Sequence, residues 1–237
     1  MKNNNSYKNF SEYYDNYIAL ADYEIWADYI KDLSTINNPN TILDIGCGSG
    51  YMMLFLSDIL NGDFYGIDIS GEMLVKANEN AYYEEKDFRF MKADMKDFVS
   101  DISFDFIYSV CDSINYLQSE NDLLKTFKNI KKYLNKGGSF TFDIISEYYK
   151  PENEILENEG LTFDVRRSKK DNWLNTTIII SNTKERLCKV EHKQRIFSVN
   201  TINEALKEAG FDNVFFYDFL TKDKPNKQSE KIQAVAY

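Results

Sequence analysis

A chain of 237 residues with 43% hydrophobic residues is long and apolar enough for one large domain, or a domain with a subdomain, and excludes a disordered chain. Its 28 Lys and Arg against 38 Asp and Glu give a net charge of −10, which argues against nucleic acid because an acidic surface repels phosphate backbones. Cys47, Cys111 and Cys188 are odd in number and lack CxxC spacing, so neither a disulfide framework nor a metal site is expected. The opening "MKNNNSYKNF" has no signal-peptide core and no apolar run reaches the ~18 residues of a membrane span, so the expectation is a cytoplasmic protein without membrane contact.

Phe10, Tyr13, Tyr14 and Tyr17, then Tyr23, Trp26, Tyr29, Ile30 and Leu33, recur at steps of three and four. That spacing predicts a helix over 10–33, stopped by "NNPN". Strands and helices then alternate. "TILDI" is a buried strand, 51–60 a buried helix, and "FYGIDI" a second strand. Ser70 caps a helix to about Tyr83, and "FRFMKAD" and "FDFIYSV" are the third and fourth strands. Ser119 and Asp122 form a capping box for a helix with Leu123, Leu124, Phe127, Ile130 and Leu134 on one face, which Gly137 and Gly138 end before the fifth strand, "SFTFDII". Strands separated by helical patterns imply crossovers and a parallel sheet.

The rhythm changes near 150. "LTFDVRR", "WLNTTIIIS" and "CKVEHKQRIF" read as an antiparallel insertion on one edge of the sheet. "TINEALKEAGF" restores a helix, with Thr201 and Glu204 as capping box and Gly210 as stop, and "NVFFYDFL" and "KIQAVAY" close the chain. The expected fold is α/β: a doubly wound, mostly parallel seven-stranded sheet with a C-terminal antiparallel hairpin. Residues 1–149 and 198–237 form this domain, and 150–197 form the insertion, a cover for the acceptor site or a dimer contact.

The stretch "TILDIGCGSGYMMLFLS" places Asp44 and three alternate glycines, Gly46, Gly48 and Gly50, between two apolar segments. Ligands of an open parallel sheet bind past the carboxyl ends of the strands, and glycines there permit positive φ and close approach to a ligand. The helix N-terminus that follows favours an anionic group. Asp68 ends the second strand 22 residues after Gly46, where an acid can accept from both hydroxyls of a ribose. Asp94, in "KADM", can accept from an adenine amino group, with Met95 covering the ring. Tyr51 stands where a dinucleotide fingerprint has its last glycine, and Asp44 sits badly beside a pyrophosphate but suits a ligand with an amino group.

"LDIGCGSG" resembles the first motif of class I S-adenosylmethionine-dependent methyltransferases, and "GIDIS", "KADM" and "CDSINYL" fall where that family has its next motifs. The flanks "YYDNYIALADYEIWADYI" and "EHKQRIFS…LKEAGF…SEKIQAVAY" resemble a bacterial small-molecule group, some of whose members resemble sugar N,N-dimethyltransferases. The resemblance implies S-adenosyl-L-methionine as cofactor. It places Gly46, Cys47 and Gly48 against it over a floor that includes Asp44, Asp68 on the ribose, and Met73 or Ile69 beside the adenine. Asp94 and Met95 fall at the adenine edge, Cys111 and Asp112 at the methionine end, and Tyr14 closes over it. The implied activity is in-line methyl transfer to a small-molecule amine or hydroxyl. A nicotinamide-dependent oxidoreductase and a non-catalytic S-adenosylmethionine-binding module are the alternatives. His192, the one histidine, shares a strand face with Gln194 and Ile196 and is the candidate base; Asp143 and Ser146 are further acceptor-site candidates. A monomer or homodimer is expected.

Overall fold

The computed structural model of the protein describes residues 10–237, so the polar opening stretch lies, apart from Phe10, outside the described residues. Two helices, α1 (Ser11–Ile18) and α2 (Tyr23–Lys31), lead into an alternating series: β1 (Thr41–Ile45), α3 (Tyr51–Ile59), β2 (Asp63–Asp68), α4 (Gly71–Tyr83), β3 (Arg89–Lys92), β4 (Phe104–Ser109), α5 (Glu120–Tyr133) and β5 (Leu134–Ile145). Then come β6 (Glu154–Asn158), β7 (Leu161–Lys170), β8 (Trp173–Ser181), β9 (Arg186–Arg195), α6 (Val199–Glu208), β10 (Val214–Asp218) and β11 (Lys231–Ala236).

The main sheet runs β10-β11-β5-β4-β1-β2-β3. Strands β1 to β5 pair in parallel, while β11 is antiparallel to both β5 and β10. β1 lies at the point where the strand order reverses, so the loop leaving it opens into the crevice where such sheets bind ligands. The central strands carry near-continuous apolar runs because helices cover both faces. One core, around Phe127, Phe140 and Phe142, lies under α5 and α6; the other, around Trp26, Met53 and Leu56, lies under α2 and α3.

Several expectations are corrected. The helix expected over 10–33 is two helices, broken before Asp22, whose carboxylate caps α2 by accepting from the Ile25 N–H at 3.1 Å. The two halves have different partners: Tyr13, Tyr14 and Tyr17 of α1 pack on the second sheet, and Trp26 and Ile30 of α2 pack in the main core. α5 stops at Tyr133, and Gly137 and Gly138 lie inside β5 at a register irregularity opposite Phe104–Phe106. A side chain at Gly138 would meet the Asp105 carbonyl at 2.5 Å, so the close approach of β5 to β4 requires glycine there. The insertion does not extend an edge of the main sheet; it is a separate antiparallel sheet, β6-β7-β8-β9, whose first strand the sequence reading missed. α6 is capped by Ser198, not Thr201: the Thr201 N–H donates to Ser198 Oγ at 3.1 Å. β3 ends at Lys92, leaving Asp94 in the turn beyond it.

Candidate functional site

The loop after β1 is built on left-handed backbone: Gly46, Gly48 and Gly50 have φ of +76°, +55° and +73°. A Cβ at Gly46 would sit 2.8 Å from Ser113 Oγ, and one at Gly48 would press on Met73 Cε at 3.3 Å and Tyr14 Cε1 at 3.4 Å. The loop therefore needs glycine for conformation and for space. Cys47, between them, is buried, and Gly66 of β2 makes room for its sulfur.

Two acids serve this loop differently. Asp68 Oδ2 accepts from the Gly48 N–H at 2.9 Å and Oδ1 from the Ser70 N–H at 2.8 Å, so one carboxylate ties the loop to the start of α4. Burial raises its pKa while those N–H groups oppose the rise. Asp44 is buried and neither carboxylate oxygen has a hydrogen-bond partner among the described residues. The Tyr108 hydroxyl lies beside it, off hydrogen-bond geometry, and burial pushes the Asp44 carboxyl well above its usual range. Met73 is buried beside Gly48, whereas Ile69 is 66% exposed. Asp94 is half-buried, with Oδ1 accepting from the Lys96 N–H at 3.0 Å, and Met95 packs towards the main core.

Beyond β4 the backbone is strained. Cys111 and Asp112, neither of them glycine, have φ of +56° and +49°. The surroundings fix this pair. The Asp112 N–H donates to Asp143 Oδ2 at 3.0 Å, Lys231 Nζ lies 3.3 Å from Asp112 Oδ1 and 2.7 Å from Asp143 Oδ2, and Gln194 Nε2 donates to Asp112 Oδ2. Lys231 also lies over the Trp26 and Phe219 rings at 4.9 and 4.7 Å. The two carboxylates beside Lys231 raise its pKa despite burial, so it stays charged. Cys111 Sγ is 3.2 Å from Tyr23 Oη, and burial pushes the thiol up to about 12, which rules it out as a thiolate nucleophile near neutral pH.

A cavity of about 630 Å³ lies between α1, the strained pair and the inner face of β7, β8 and β9. His192 lines it, with Nδ1 2.7 Å from Tyr116 Oη and the Phe10 ring edge-on at 5.7 Å. Burial lowers the His192 pKa to about 4, against the pull of Asp112, so the ring is neutral at pH 7. Tyr14 belongs to both places: it lines the cavity and covers Gly48. Helix α1 is tied on both sides. Asn80 Nδ2 bridges Asp15 Oδ2 (2.8 Å) and the Ser49 carbonyl (3.1 Å), while Asn16 Nδ2 donates to Glu159 Oε2 at 2.7 Å in the β6–β7 turn.

The structure thus gathers Tyr14, Asp44, Gly46, Cys47, Gly48, Asp68 and Met73 around the loop and Tyr14, Cys111, Asp112 and His192 around the cavity. Asp143 and Ser146 do not line the cavity. Asp143 is wholly buried behind Asp112, and Ser146 Oγ accepts from the Tyr148 N–H at 2.9 Å. Sequence reasoning missed Arg167, Tyr17, Tyr149 and Lys231, which line the cavity. Arg167 had a signal, since it shares strand parity with the buried Phe163 and Val165; Lys231, the first residue of the last strand, had none.

A parallel sheet with this order, a left-handed glycine loop at its switch point and a closing antiparallel hairpin define the class I methyltransferase fold. Residues 42–138 match the family described as methyltransferase domain. YqeM of Bacillus subtilis (strain 168), which is named as a methyltransferase, is 27% identical over 95% of this chain and 94% of its own. The dTDP-3-amino-3,4,6-trideoxy-alpha-D-glucopyranose N,N-dimethyltransferase of Streptomyces venezuelae is 28% identical over 49% of this chain and 48% of its own. The crystal structure of an S-adenosylmethionine-dependent methyltransferase from Clostridium acetobutylicum ATCC 824 shares the fold, with a TM-score of 0.81 at 24% identity, covering 98% of both chains. The protein is an S-adenosylmethionine-dependent methyltransferase. Among the described residues no helix is long and apolar enough to cross a membrane, and no cluster of His, Cys, Asp and Glu is placed to hold a metal.

The residues at the glycine loop fit S-adenosylmethionine. Asp44 is a buried acid whose oxygens have no hydrogen-bond partner among the described residues, and the loop that follows it holds three glycines, Gly46, Gly48 and Gly50, in left-handed backbone.

Proposed function

We propose that the protein methylates a small molecule, on an amine or a hydroxyl, bound in the cavity beneath the four-stranded sheet. One observation carries this reading: Tyr14 stands between the glycine loop and that cavity, so a ligand on either side meets the same ring.

When bound, S-adenosylmethionine supplies an electrophilic methyl group. Asp68 would hold its ribose, Met73 and Ile69 the adenine faces, and Asp94 and Met95 the adenine edge. Asp44, Gly46, Cys47, Gly48, Cys111 and Asp112 would hold the methionine part. The chain's further task is alignment, which contributes up to about 7–11 kcal/mol in well-oriented reactions. Tyr14 and α1 exclude water from the junction, and the Asp112 turn, locked by Lys231 and Asp143, fixes one wall. His192 is neutral, so it can accept a hydrogen bond or a proton from the acceptor; a pKa near 4 makes it better suited to orienting the acceptor than to removing a proton. Residues 150–197 act as the acceptor-site cover of a domain formed by 1–149 and 198–237, because the inner face of that sheet lines the cavity. The Streptomyces relative is named for an amine acceptor, which favours nitrogen over oxygen.

Incubation with methyl-labelled S-adenosylmethionine and a metabolite extract is expected to place label in a small molecule. Label in the macromolecular fraction alone, or nowhere, rejects the reading.

A further inference from the structure

The inner face of the four-stranded sheet changes chemistry along its strands. Cross-strand register places Phe163, Ile180 and Cys188 in one rung and Val165, Ile178 and Val190 in the next, all buried against α1. The following rung on the same face is Arg167–Thr176–His192, and it lines the cavity. Neighbours in such a rung have Cβ atoms about 4.5–5.5 Å apart, so the three polar side chains form one platform.

An arginine on the inner face, next to two apolar rungs, needs a reason, because burying a charge is costly unless it is paired. Part of the reason is Glu154, to which Nη1 donates; Nη1 also donates to the Glu152 carbonyl at 3.1 Å. Both bonds leave from one nitrogen of a group with five N–H donors in a planar fork. Neutralising a glutamate does not require an inward position. The adjacent Arg166 forms its ion pair, with Asp164 at 2.6 Å, on the opposite face. The phenols of Tyr17 and Tyr149 line the same cavity as Arg167, and the guanidinium opposes the rise that burial gives the Tyr17 pKa. The wall therefore offers a charged fork and three hydroxyls, including Thr176.

We infer that Arg167, with Thr176, Tyr17 and Tyr149, is an oxyanion subsite that holds a carboxylate or phosphoryl group of the methyl acceptor. This rests on the acceptor binding in this cavity. The fork suits either anion, since both accept two parallel N–H bonds.

The test uses the full chain as wild type, Arg167→Gln, Arg167→Lys and Glu154→Gln, with inorganic phosphate and acetate as probes read by ³¹P and ¹³C line broadening. The wild type should bind at least one probe, and which of the two separates a phosphoryl from a carboxylate ligand. Arg167→Gln should weaken that binding at least tenfold and Arg167→Lys less. Glu154→Gln should strengthen it, because it removes the competing carboxylate. A purely structural ion pair predicts the reverse pattern: both partners lower the melting temperature alike and Glu154→Gln binds no tighter, which overturns the inference. In turnover, primary amines ending in a phosphate or carboxylate should show a KM at least thirtyfold below that of the same amines without it, at similar kcat and unchanged cofactor affinity. Equal KM values overturn the inference. Failure of methyl transfer with every acceptor rejects the acceptor cavity itself, and the probe-binding series then decides the subsite alone.

Discussion

Asp44 and Asp68 lie either side of the same glycine loop, and their surroundings give them opposite characters. Asp68 holds two backbone N–H groups and keeps lone pairs for a ligand; Asp44 has no hydrogen-bond partner among the described residues. Asp68→Ala removes the charged acceptor for the ribose and releases the Gly48 N–H. Cofactor affinity should fall by roughly 1.5–3 kcal/mol, the range for hydrogen bonds to charged groups. Calorimetry giving an unchanged Kd would remove Asp68 from the site. His192 carries a pH signature. Its folded pKa of about 4 lies below the ordinary 6.5, so between those values the unfolded chain binds a proton that the folded chain does not. Its contribution to stability is present above about pH 6.5 and is lost as the pH falls towards 4. His192→Gln should therefore lose less stability than wild type between pH 7 and 4.5, measured by urea midpoints; parallel losses would contradict the burial of the ring. Both acids and the histidine were legible in the sequence by position. The lock on Asp112 was not, because Asp143, Gln194 and Lys231 lie on three different strands and meet only in the fold.

Elements were legible where their own periodicity matched their burial. β8 was read to the residue from "WLNTTIIIS", and α4 from its Ser70 cap to Tyr83. The errors fell where a neighbour decides. The aromatic stripe of 10–33 has one helical period but two destinations, the second sheet and the main core, and Asp22 marks the change. Gly137 and Gly138 carry a helix-stop signal, yet β5 begins before them because β4 offers it hydrogen bonds. Gly66 shows how closely neighbouring elements approach: a Cβ there would lie 2.9 Å from Cys47 Sγ and from Phe90 Cδ1 and 3.0 Å from Met53 Sδ. Gly66→Ala should cost about 1–3 kcal/mol of stability, the usual effect of overpacking. Chemical denaturation showing less than half a kilocalorie of loss would mean that α3 shifts freely over β2, contrary to the packing described.

At the scale of the whole molecule, the α/β domain and the four-stranded sheet meet at α1 and at the Asp112–Gln194 contact. A ligand at the glycine loop touches the first of these through Tyr14 and should stabilise the assembly. S-adenosylmethionine at one hundred times its Kd should add about 2.7 kcal/mol, seen as a raised melting temperature, and a nicotinamide dinucleotide should add nothing. Equal shifts from both would mean that Tyr51, packed on Tyr23 at 5.0 Å, does not exclude dinucleotides as its bulk suggests. The sequence by itself determined the parallel sheet, the glycine loop and the acids at the loop, because these follow from local rules: alternation, caps, positive φ and the spacing from one strand end to the next. The tertiary structure decided which face of the insertion looks inward, that Arg167 joins Thr176 and His192 in one rung, and that Lys231 faces Asp112. Those depend on strand register and on contacts between residues far apart in the chain, and no local pattern carries that information.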